Sequence, residues 1–267
     1  MSCNCARSRV PFSKLKFMTR IGFGIDVGGS GIKGARVDLD TGDFVGDRIK
    51  ILTPKPATPE AVAQTISRIV AEAEWEGPVG ITLPSVIRNQ VALSAANIDQ
   101  SWINVDVQKL FTKTLGGRNI AVLNDADAAG IAEVAFGEDQ ARRGSAILLT
   151  LGTGIGSAFF INGVLFPNTE LGHMIVEGKE AEHLASSAAK DRDELSYSKW
   201  AKRVSKVLSE YERLFWPDVF IVGGGISRKA DKWVPKLTID TPVIPAKLRN
   251  TAGIVGAAMA ADQNIRP

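Results

Sequence analysis

The sequence predicts an α/β protein built from two similar lobes with a cleft between them. Three observations carry that expectation: a meander of apolar strands followed by helices occurs twice, a glycine-rich turn sits at the same point in each unit, and no long or low-complexity linker separates the units. The expected boundaries are an N-terminal extension over 1–19, a small lobe over 20–124 and a large lobe over 125–249, with a last helix over 250–267 packing back onto the small lobe. A chain of 267 residues, 45% hydrophobic and 23% charged, is long enough to bury one large core or two smaller ones, which excludes a disordered or fibrous protein. No apolar run approaches the roughly 20 residues that span a bilayer, so the chain reads as soluble, without a membrane partner. A net charge of +3 is too mild to argue for nucleic acid. Cys3 and Cys5 stand one residue apart near the terminus, where neither a disulfide framework nor a zinc ribbon can be built, and this points to a reducing, cytoplasmic setting. The extension has basic residues but no apolar core of a secretory signal, and Met18 stands just before the first strand, so a start there would lose little of the fold.

Taken in order, Ile21 to Val27, Ile32 to Leu39 and Asp43 to Leu52 read as three strands. Asp40-Thr41-Gly42-Asp43 supplies the turn between the second and third, and Thr53-Pro54-Lys55-Pro56 ends the third. A helix follows, with Thr58 as N-cap, Pro59 in the first position and Val62, Ile66, Ile69, Val70 and Ala73 at helical spacing. Gly77-Pro78 stops it, and Val79 to Leu83 returns as a strand. Ile120 to Asn124 is a further strand that turns into an Ala-rich helix over 126–136. The pattern then restarts with a strand from Ser145 to Leu151, a turn over Gly152 to Gly156 and a strand from Ser157 to Ile161, and Asn162-Gly163 is a hairpin signal. Residues 181–216 read as mostly helical, with Trp200, Val204, Val207, Leu208 and Tyr211 on one apolar face and Trp216-Pro217 as the stop. Val219 to Val222 is a buried strand, and the small-residue run from Thr251 to Ala261 makes a helix able to pack closely.

Several residues in this frame can do chemistry. Asp26 ends a strand and is followed by backbone free of side-chain bulk at Gly28 and Gly29, then by Ser30 and Lys33. Successive N–H groups there can converge on a phosphate, the hydroxyl and ammonium add to them, and the carboxylate can hold a hydrated Mg2+. The same glycines also suit a tight hairpin that needs positive φ. Gly152, Thr153 and Gly154 form a second turn of this type, and two such turns facing each other across a cleft would clamp one phosphoryl chain. Gly223, Gly224 and Gly225 admit a flat group such as adenine, or simply make a tight strand-to-helix turn. Asp125, at the junction of a strand and a helix, is ionised at neutral pH and can take a hydroxyl proton, or it can cap the helix. Glu170 and His173, three apart around Gly172, can both reach one polyol. Ser85, in a loop after a strand, either touches that polyol or completes a turn.

Together Asp26-x-Gly-Gly-Ser, Leu123-Asn-Asp-Ala-Asp127, Leu151-Gly-Thr-Gly-Ile-Gly, Glu170-Leu-Gly-His173 and Val222-Gly-Gly-Gly resemble the ROK family of sugar kinases, within the actin and hexokinase superfamily, over nearly everything from Ile21 onward. Within that family the chain looks most like the actinobacterial polyphosphate glucokinases, the inorganic polyphosphate/ATP-glucomannokinase type. The resemblance implies a duplicated, ribonuclease H-like fold of the actin/hexokinase kind with its active site in the interlobe cleft. It assigns the general base to Asp125, with Asn97, Asn124, Glu170, His173 and Glu182 on the sugar and the turns at Gly28 to Ser30 and Gly152 to Gly154 on the donor phosphates. The implied reaction is phosphoryl transfer from ATP or inorganic polyphosphate, with Mg2+, to the 6-hydroxyl of glucose and mannose, by a monomer or homodimer.

One departure matters: many members of the family carry a zinc site made from a His and a Cys-rich loop before the next sugar-binding glutamate. Here Glu182 follows His173 by nine positions with no Cys between, so no structural zinc is expected. A long polyanion asks for cations beyond the last phosphate turn, and Lys33, Arg142, Arg143, Arg228, Lys229 and Lys232 are the candidates. The competing readings are a ROK glucokinase restricted to ATP, a sugar-responsive ROK regulator and an actin-like ATPase. Residues 1–20 are too few for the helix-turn-helix that a regulator needs, and an ATPase has no purpose for Glu170, His173 and Glu182.

Overall fold

Strands β1 (Ile21–Val27), β2 (Ile32–Asp38) and β3 (Ile49–Ile51) form an antiparallel meander in the computed structural model, which describes residues 19–95 and 98–267. The third strand is shorter than the expected run from Asp43 to Leu52: Phe44 makes a single bridge to Val37, and Gly46, at φ 82°, turns the chain before the ladder resumes. Helix α1 (Pro59–Glu72) begins where its cap dictates, with the Thr58 hydroxyl accepting from the Ala61 N–H, and it buries Val62, Ile66, Ile69 and Val70. Strand β4 (Val79–Leu83) then lies parallel to β1. A small antiparallel sheet that the hydrophobic pattern did not announce follows, made of β5 (Ile87–Arg88), β6 (Val91–Ala92) and β7 (Val105–Asp106), with α2 (Val107–Thr114) after it. Its strands are too short to show a period. Trp102 anchors the region, fully buried, its indole N–H donating to the Ala57 carbonyl at 2.8 Å.

Strand β8 (Ile120–Asn124) pairs parallel to β4 and closes the first sheet. Its free edge is covered by a side chain: the Gln90 amide donates to the Val122 carbonyl at 2.9 Å and accepts the Val122 N–H at 3.0 Å. Helix α3 (Asp125–Phe136) starts one residue before the expected span, because Asn124 is its N-cap.

The second half repeats the plan with β9 (Ser145–Leu151), β10 (Ile155–Ile161) and β11 (Val164–Phe166). Strand β10 begins at Ile155 rather than Ser157, so the preceding turn is tighter than expected. Asn162 and Gly163, both at positive φ, make the predicted two-residue hairpin. A hairpin of β12 (Ile175–Val176) and β13 (Lys179–Glu180) leads into α4 (Ala181–Ala185), α5 (Ser187–Arg192) and α6 (Tyr197–Phe215). The helical stretch over 181–216 is thus three helices, broken where Ser186 and Ser196 each cap a new start. Trp200, Val204, Val207, Leu208 and Tyr211 are buried together on one face of α6, as their spacing predicts. Strand β14 (Val219–Gly223), α7 (Ala230–Trp233), β15 (Val243–Pro245) and α8 (Ala252–Gln263) complete the chain. Among the described residues no helix is long and apolar enough to cross a membrane.

The two five-stranded sheets have one topology, β3-β2-β1-β4-β8 and β11-β10-β9-β14-β15, with the same strand directions at corresponding places. Each ends in a helix, α3 or α8, and the helices cross over: α8 lies on β1 and β4 of the first sheet, α3 lies on β10 of the second, and the two helices pack on each other. This is the duplicated architecture of the actin/hexokinase-like fold. The contact is backbone to backbone. A Cβ at Gly24 would stand 1.8 Å from the Ile254 carbonyl oxygen, one at Gly80 1.7 Å from that of Ala257, and one at Gly256 1.7 Å from that of Ala128. Gly80→Ala is therefore expected to lower stability by about 3 kcal/mol, since neither sheet nor helix can yield without opening the core, and denaturant unfolding of the two proteins checks it.

Candidate active site

Parallel strands expose their C-terminal ends along one edge, where side chains and helix N-termini face open space. In the first sheet that edge holds the ends of β1, β4 and β8, and in the second those of β9 and β14. The residues leaving β4, β8, β9 and β14 line a cleft of about 690 Å³. It brings together Ser85, Asn124 and Asp125 from the first half with Gly152, Thr153, Gly154, Glu170, His173, Glu182 and Gly224 from the second. Asp26, Gly28, Gly29, Ser30 and Lys33, in and around the β1–β2 turn, do not line it, nor do Gly223 and Gly225. Asn97 lies outside the described residues, as do Cys3, Cys5 and Met18.

Two candidate duties for Asp125 are separated by its neighbour. Asn124 Oδ1 accepts the N–H groups of Ala126 at 2.8 Å and Asp127 at 3.3 Å, so the capping is done by Asn124. Asp125 occupies the first helical position, at 2.8 Å from the Ala126 N–H, and its side chain opens on the cleft. The protein crowding around it, together with the negative charge of Asp26, pushes its carboxyl up to about 6; the Ala126 N–H works in the opposite sense and Glu170 adds to the rise. Asn124 Nδ2 donates to the Ser85 carbonyl at 3.2 Å, and the Ser85 hydroxyl donates to the Ser94 carbonyl at 2.7 Å. Ser85 is thus tied into its own loop.

Glu170 is held by the residues on either side of it. The Ser157 hydroxyl bonds the Thr169 carbonyl at 2.7 Å and accepts the Leu171 N–H at 3.0 Å, and the Tyr211 hydroxyl donates to the Leu171 carbonyl at 2.7 Å. Gly172 lets this turn lie against β10, since a Cβ there would come 2.2 Å from the Ile155 carbonyl oxygen. Burial raises the Glu170 carboxyl above its ordinary range, the nearby His173 opposes the rise, and Glu182 adds to it. Glu182 accepts the Ile155 N–H at 3.3 Å and passes where a side chain on Gly154 would be, 2.3 Å from the Cβ position. His173 stands 3.8 Å from Glu170 and 3.5 Å from Glu180, and His183 stands 3.6 Å from Glu180 and 3.9 Å from Glu182. Glu180 and His183, with Thr150, Ser157 and Thr169, escaped the sequence reading. None lies in a glycine-rich motif, and only the hairpin of β12 and β13 brings Glu180 to His173.

The three glycine turns differ in what their glycines are for. Gly224, at φ 81°, is required by its turn, and a Cβ there would meet the Leu151 carbonyl oxygen at 2.5 Å. Among the described residues just three glycines have neither a positive φ nor any atom within 4 Å of a built Cβ: Gly29, Gly152 and Gly225. One falls in each of the three predicted donor turns. Neither conformation nor packing demands glycine at these points, and what its absence of a side chain leaves is open backbone.

The cations are distributed unevenly. Lys33 is paired with Asp26 at 3.2 Å, and Asp26 also accepts from the Thr82 hydroxyl at 3.1 Å. Arg142 donates to the Val134 carbonyl at the end of α3, and Lys232 lies 5.8 Å from the centre of the Tyr197 ring. Arg228 and Lys229 sit in the helical turn that follows Gly224. Lys50, which the sequence did not single out, is the register partner of Lys33, and its Cε is 2.8 Å from where a Cβ on Gly31 would stand.

The description "ROK family" matches residues 22–192 of the chain. The polyphosphate glucokinase of Mycobacterium tuberculosis is 58% identical over 241 residues, covering 90% of this chain and 91% of the relative. The crystal structure of the inorganic polyphosphate/ATP-glucomannokinase from Arthrobacter sp. strain KM superposes with a TM-score of 0.85 at 47% identity, covering 91% of this chain and 99% of that one. A ROK family glucokinase from Streptomyces griseus, solved in complex with glucose and AMPPNP, superposes with a TM-score of 0.77 at 26% identity over 91% of this chain and 100% of its own. With a family model matching well over half of its length and a relative 58% identical over 90% of it, the chain belongs to the ROK family.

Proposed function

We propose that this protein transfers a phosphoryl group from inorganic polyphosphate or ATP to the 6-hydroxyl of glucose, and also of mannose, with Asp125 as general base. The observation that carries the reading is the Asn124–Asp125 junction: Asn124 takes the capping duty and leaves Asp125 on the cleft with its carboxyl raised to about 6. A base tuned toward neutrality accepts a proton more effectively than a free carboxylate while staying ionised at pH 7. Names and ligands of the relatives support the substrates. Polyphosphate glucokinases share more than half of this sequence, the Arthrobacter enzyme is called a glucomannokinase with two donors, and the Streptomyces griseus enzyme holds glucose and an ATP analogue.

In this reading Glu170, His173 and Glu182 take hydroxyls of the hexose from one side and Asn124 and Ser85 bound it on the other, while Asn97, outside the described residues, is a sugar ligand by resemblance to the family alone. Donor phosphates lie on the open backbone of the turns at Gly28 to Ser30 and Gly152 to Gly154, with a nucleoside against Gly223 to Gly225. As the 6-oxygen forms its bond to phosphorus, its proton passes to Asp125 and the bond to the leaving phosphate breaks, releasing ADP or a polyphosphate one unit shorter. Mg2+, when bound with the donor, supplies charge neutralisation of the phosphates. Both Asp26 oxygens have protein partners, so that carboxylate suits a hydrated Mg2+ held through water rather than direct ligation. We place the small lobe at 20–124 and the large lobe at 125–249; their closure over the sugar would exclude water and limit donor hydrolysis. The reaction suits a cytoplasmic enzyme, where both donors and reduced cysteines are found.

Three outcomes test this. Asp125→Asn should lower kcat by roughly 10²- to 10⁴-fold with either donor, while glucose still raises the melting temperature of the variant; near-normal turnover removes Asp125 from the base role. Because the base must be ionised and its carboxyl titrates near 6, kcat/KM for glucose should fall as pH drops through that value, about tenfold between pH 7 and pH 5. A profile that stays flat to pH 5 contradicts it. Gly29→Ala and Gly152→Ala should each unfold within about 1 kcal/mol of the parent protein while losing phosphoryl transfer, since the added methyl has room in the protein but not beneath a phosphate.

A further inference from the structure

Asp127 lies two residues beyond Asp125 in the first turn of α3 and is wholly buried. Its Oδ2 accepts the backbone N–H of Asn168 at 2.9 Å, and among the described residues its Oδ1 is buried without a hydrogen-bond partner. Burial lifts this carboxyl to about 7 against the pull of the Asn168 N–H, with Glu170 and Asp125 adding to the rise. A carboxylate kept in such a place at the cost of an unsatisfied oxygen calls for a reason beyond helix stability.

The reason lies in what it holds. Asn168 sits at φ 59°, in the left-handed region that Asn tolerates better than most residues. Its side-chain amide takes both backbone groups of Ile87: Oδ1 accepts the N–H at 2.9 Å and Nδ2 donates to the carbonyl at 2.6 Å. Ile87 belongs to the segment whose other end, the Ser85 carbonyl, receives Asn124 Nδ2 at 3.2 Å. The segment from Ser85 to Ile87 is thereby gripped at two points by two asparagines. Asn124 caps α3, and Asn168 is bonded to its first turn through Asp127. Glu170 follows Asn168 by two residues and lines the same cleft as Ser85 and Val86. Neither Asp127 nor Asn168 lines the cleft itself.

We infer that Asp127 and Asn168 are positioning residues, which clamp the Glu170 wall to α3 and to the Ser85–Ile87 segment so that one hexose meets Asp125 and Glu170 together. The inference rests on the proposed sugar phosphorylation. The clamp joins the two halves of the protein at the sugar end of the cleft and leaves the glycine turns free, so its loss falls on the sugar and not on the donor.

Steady-state kinetics of the full chain with Asn168→Gly, Asp127→Ala and Asp127→Asn, beside the parent, decides it. Asn168→Gly keeps the left-handed backbone and the N–H to Asp127 and removes the two bonds to Ile87. It should raise KM for glucose about tenfold, lower kcat less and leave KM for ATP and polyphosphate unchanged. Asp127→Ala should raise KM for glucose in the same way. Asp127→Asn, which retains an oxygen for the Asn168 N–H, should stay within about twofold of the parent. A glucose KM in Asn168→Gly equal to that of the parent, whatever its melting temperature, overturns the inference. So does Asp127→Asn behaving like Asp127→Ala, which would make charge and not the hydrogen bond the operative property. Should Asp127→Ala fail to fold, Asn168→Gly and Asp127→Asn suffice. A parent protein that phosphorylates glucose with neither donor overturns the proposed function instead; the glucose-induced rise in melting temperature, smaller in Asn168→Gly than in the parent, then still reads the clamp.

Discussion

The close approach of α8 to the first sheet is the constraint on which the rest of the molecule depends. Gly24, Gly80 and Gly256 let a helix rest on a sheet and on a second helix with carbonyl oxygens where side chains would otherwise stand. Because α8 belongs to the second half of the chain and packs on the first, neither half completes its core alone. The same exchange, with α3 lying on β10, fixes the C-terminal edges of both sheets toward one cleft. The buried carboxylate of Glu133, in α3, strengthens the junction by accepting the N–H groups of Lys247 and Leu248 ahead of α8. Catalytic geometry in this protein is thus a product of core packing between elements more than a hundred residues apart.

Electrostatics then sets apart the acidic groups in and around the cleft. Asp26 has a lysine and a hydroxyl on its two oxygens, Asp125 has open cleft and one N–H, and Asp127 has one N–H and a dry surrounding. The protein crowding around Asp125 pushes its carboxyl up to about 6, and full burial lifts that of Asp127 to about 7. Glu170 is raised as well but keeps a histidine beside it.

Much of this was legible in the sequence, and the reasons for what was not are physical. The alternating strand β1, the unbroken apolar runs of β9 and β14 and capped helices such as α1 show their nature locally, and the glycine turns advertise themselves by composition. The duplicated order of the elements followed from these alone. Two-residue strands like β5 and β12 have no period to read, and β3 is cut short by Gly46. In the cleft, Asp125, Glu170, His173 and Glu182 stood in recognisable motifs. Ser157, Glu180, Gln90 and Asn168 act through partners 12 to 81 positions away or across a hairpin, and no local pattern marks such residues. The register of β1 and β2 sets Lys33 opposite Asp26, where the two form an ion pair that no local pattern announces.

The near-twofold symmetry of the two sheets stops at their last strands. β8 runs without interruption into α3, and the residue at that junction is an aspartate; β15 is separated from α8 by residues 246–251, and α8 opens on Thr251 and Ala252. A faithful copy would have opened a helix directly at the end of β15, as β8 does into α3. The broken copy makes the two sides of the cleft unlike instead: one half keeps a strand-to-helix junction with a carboxylate on the cleft, and the other ends in the small-residue helix that packs the halves together.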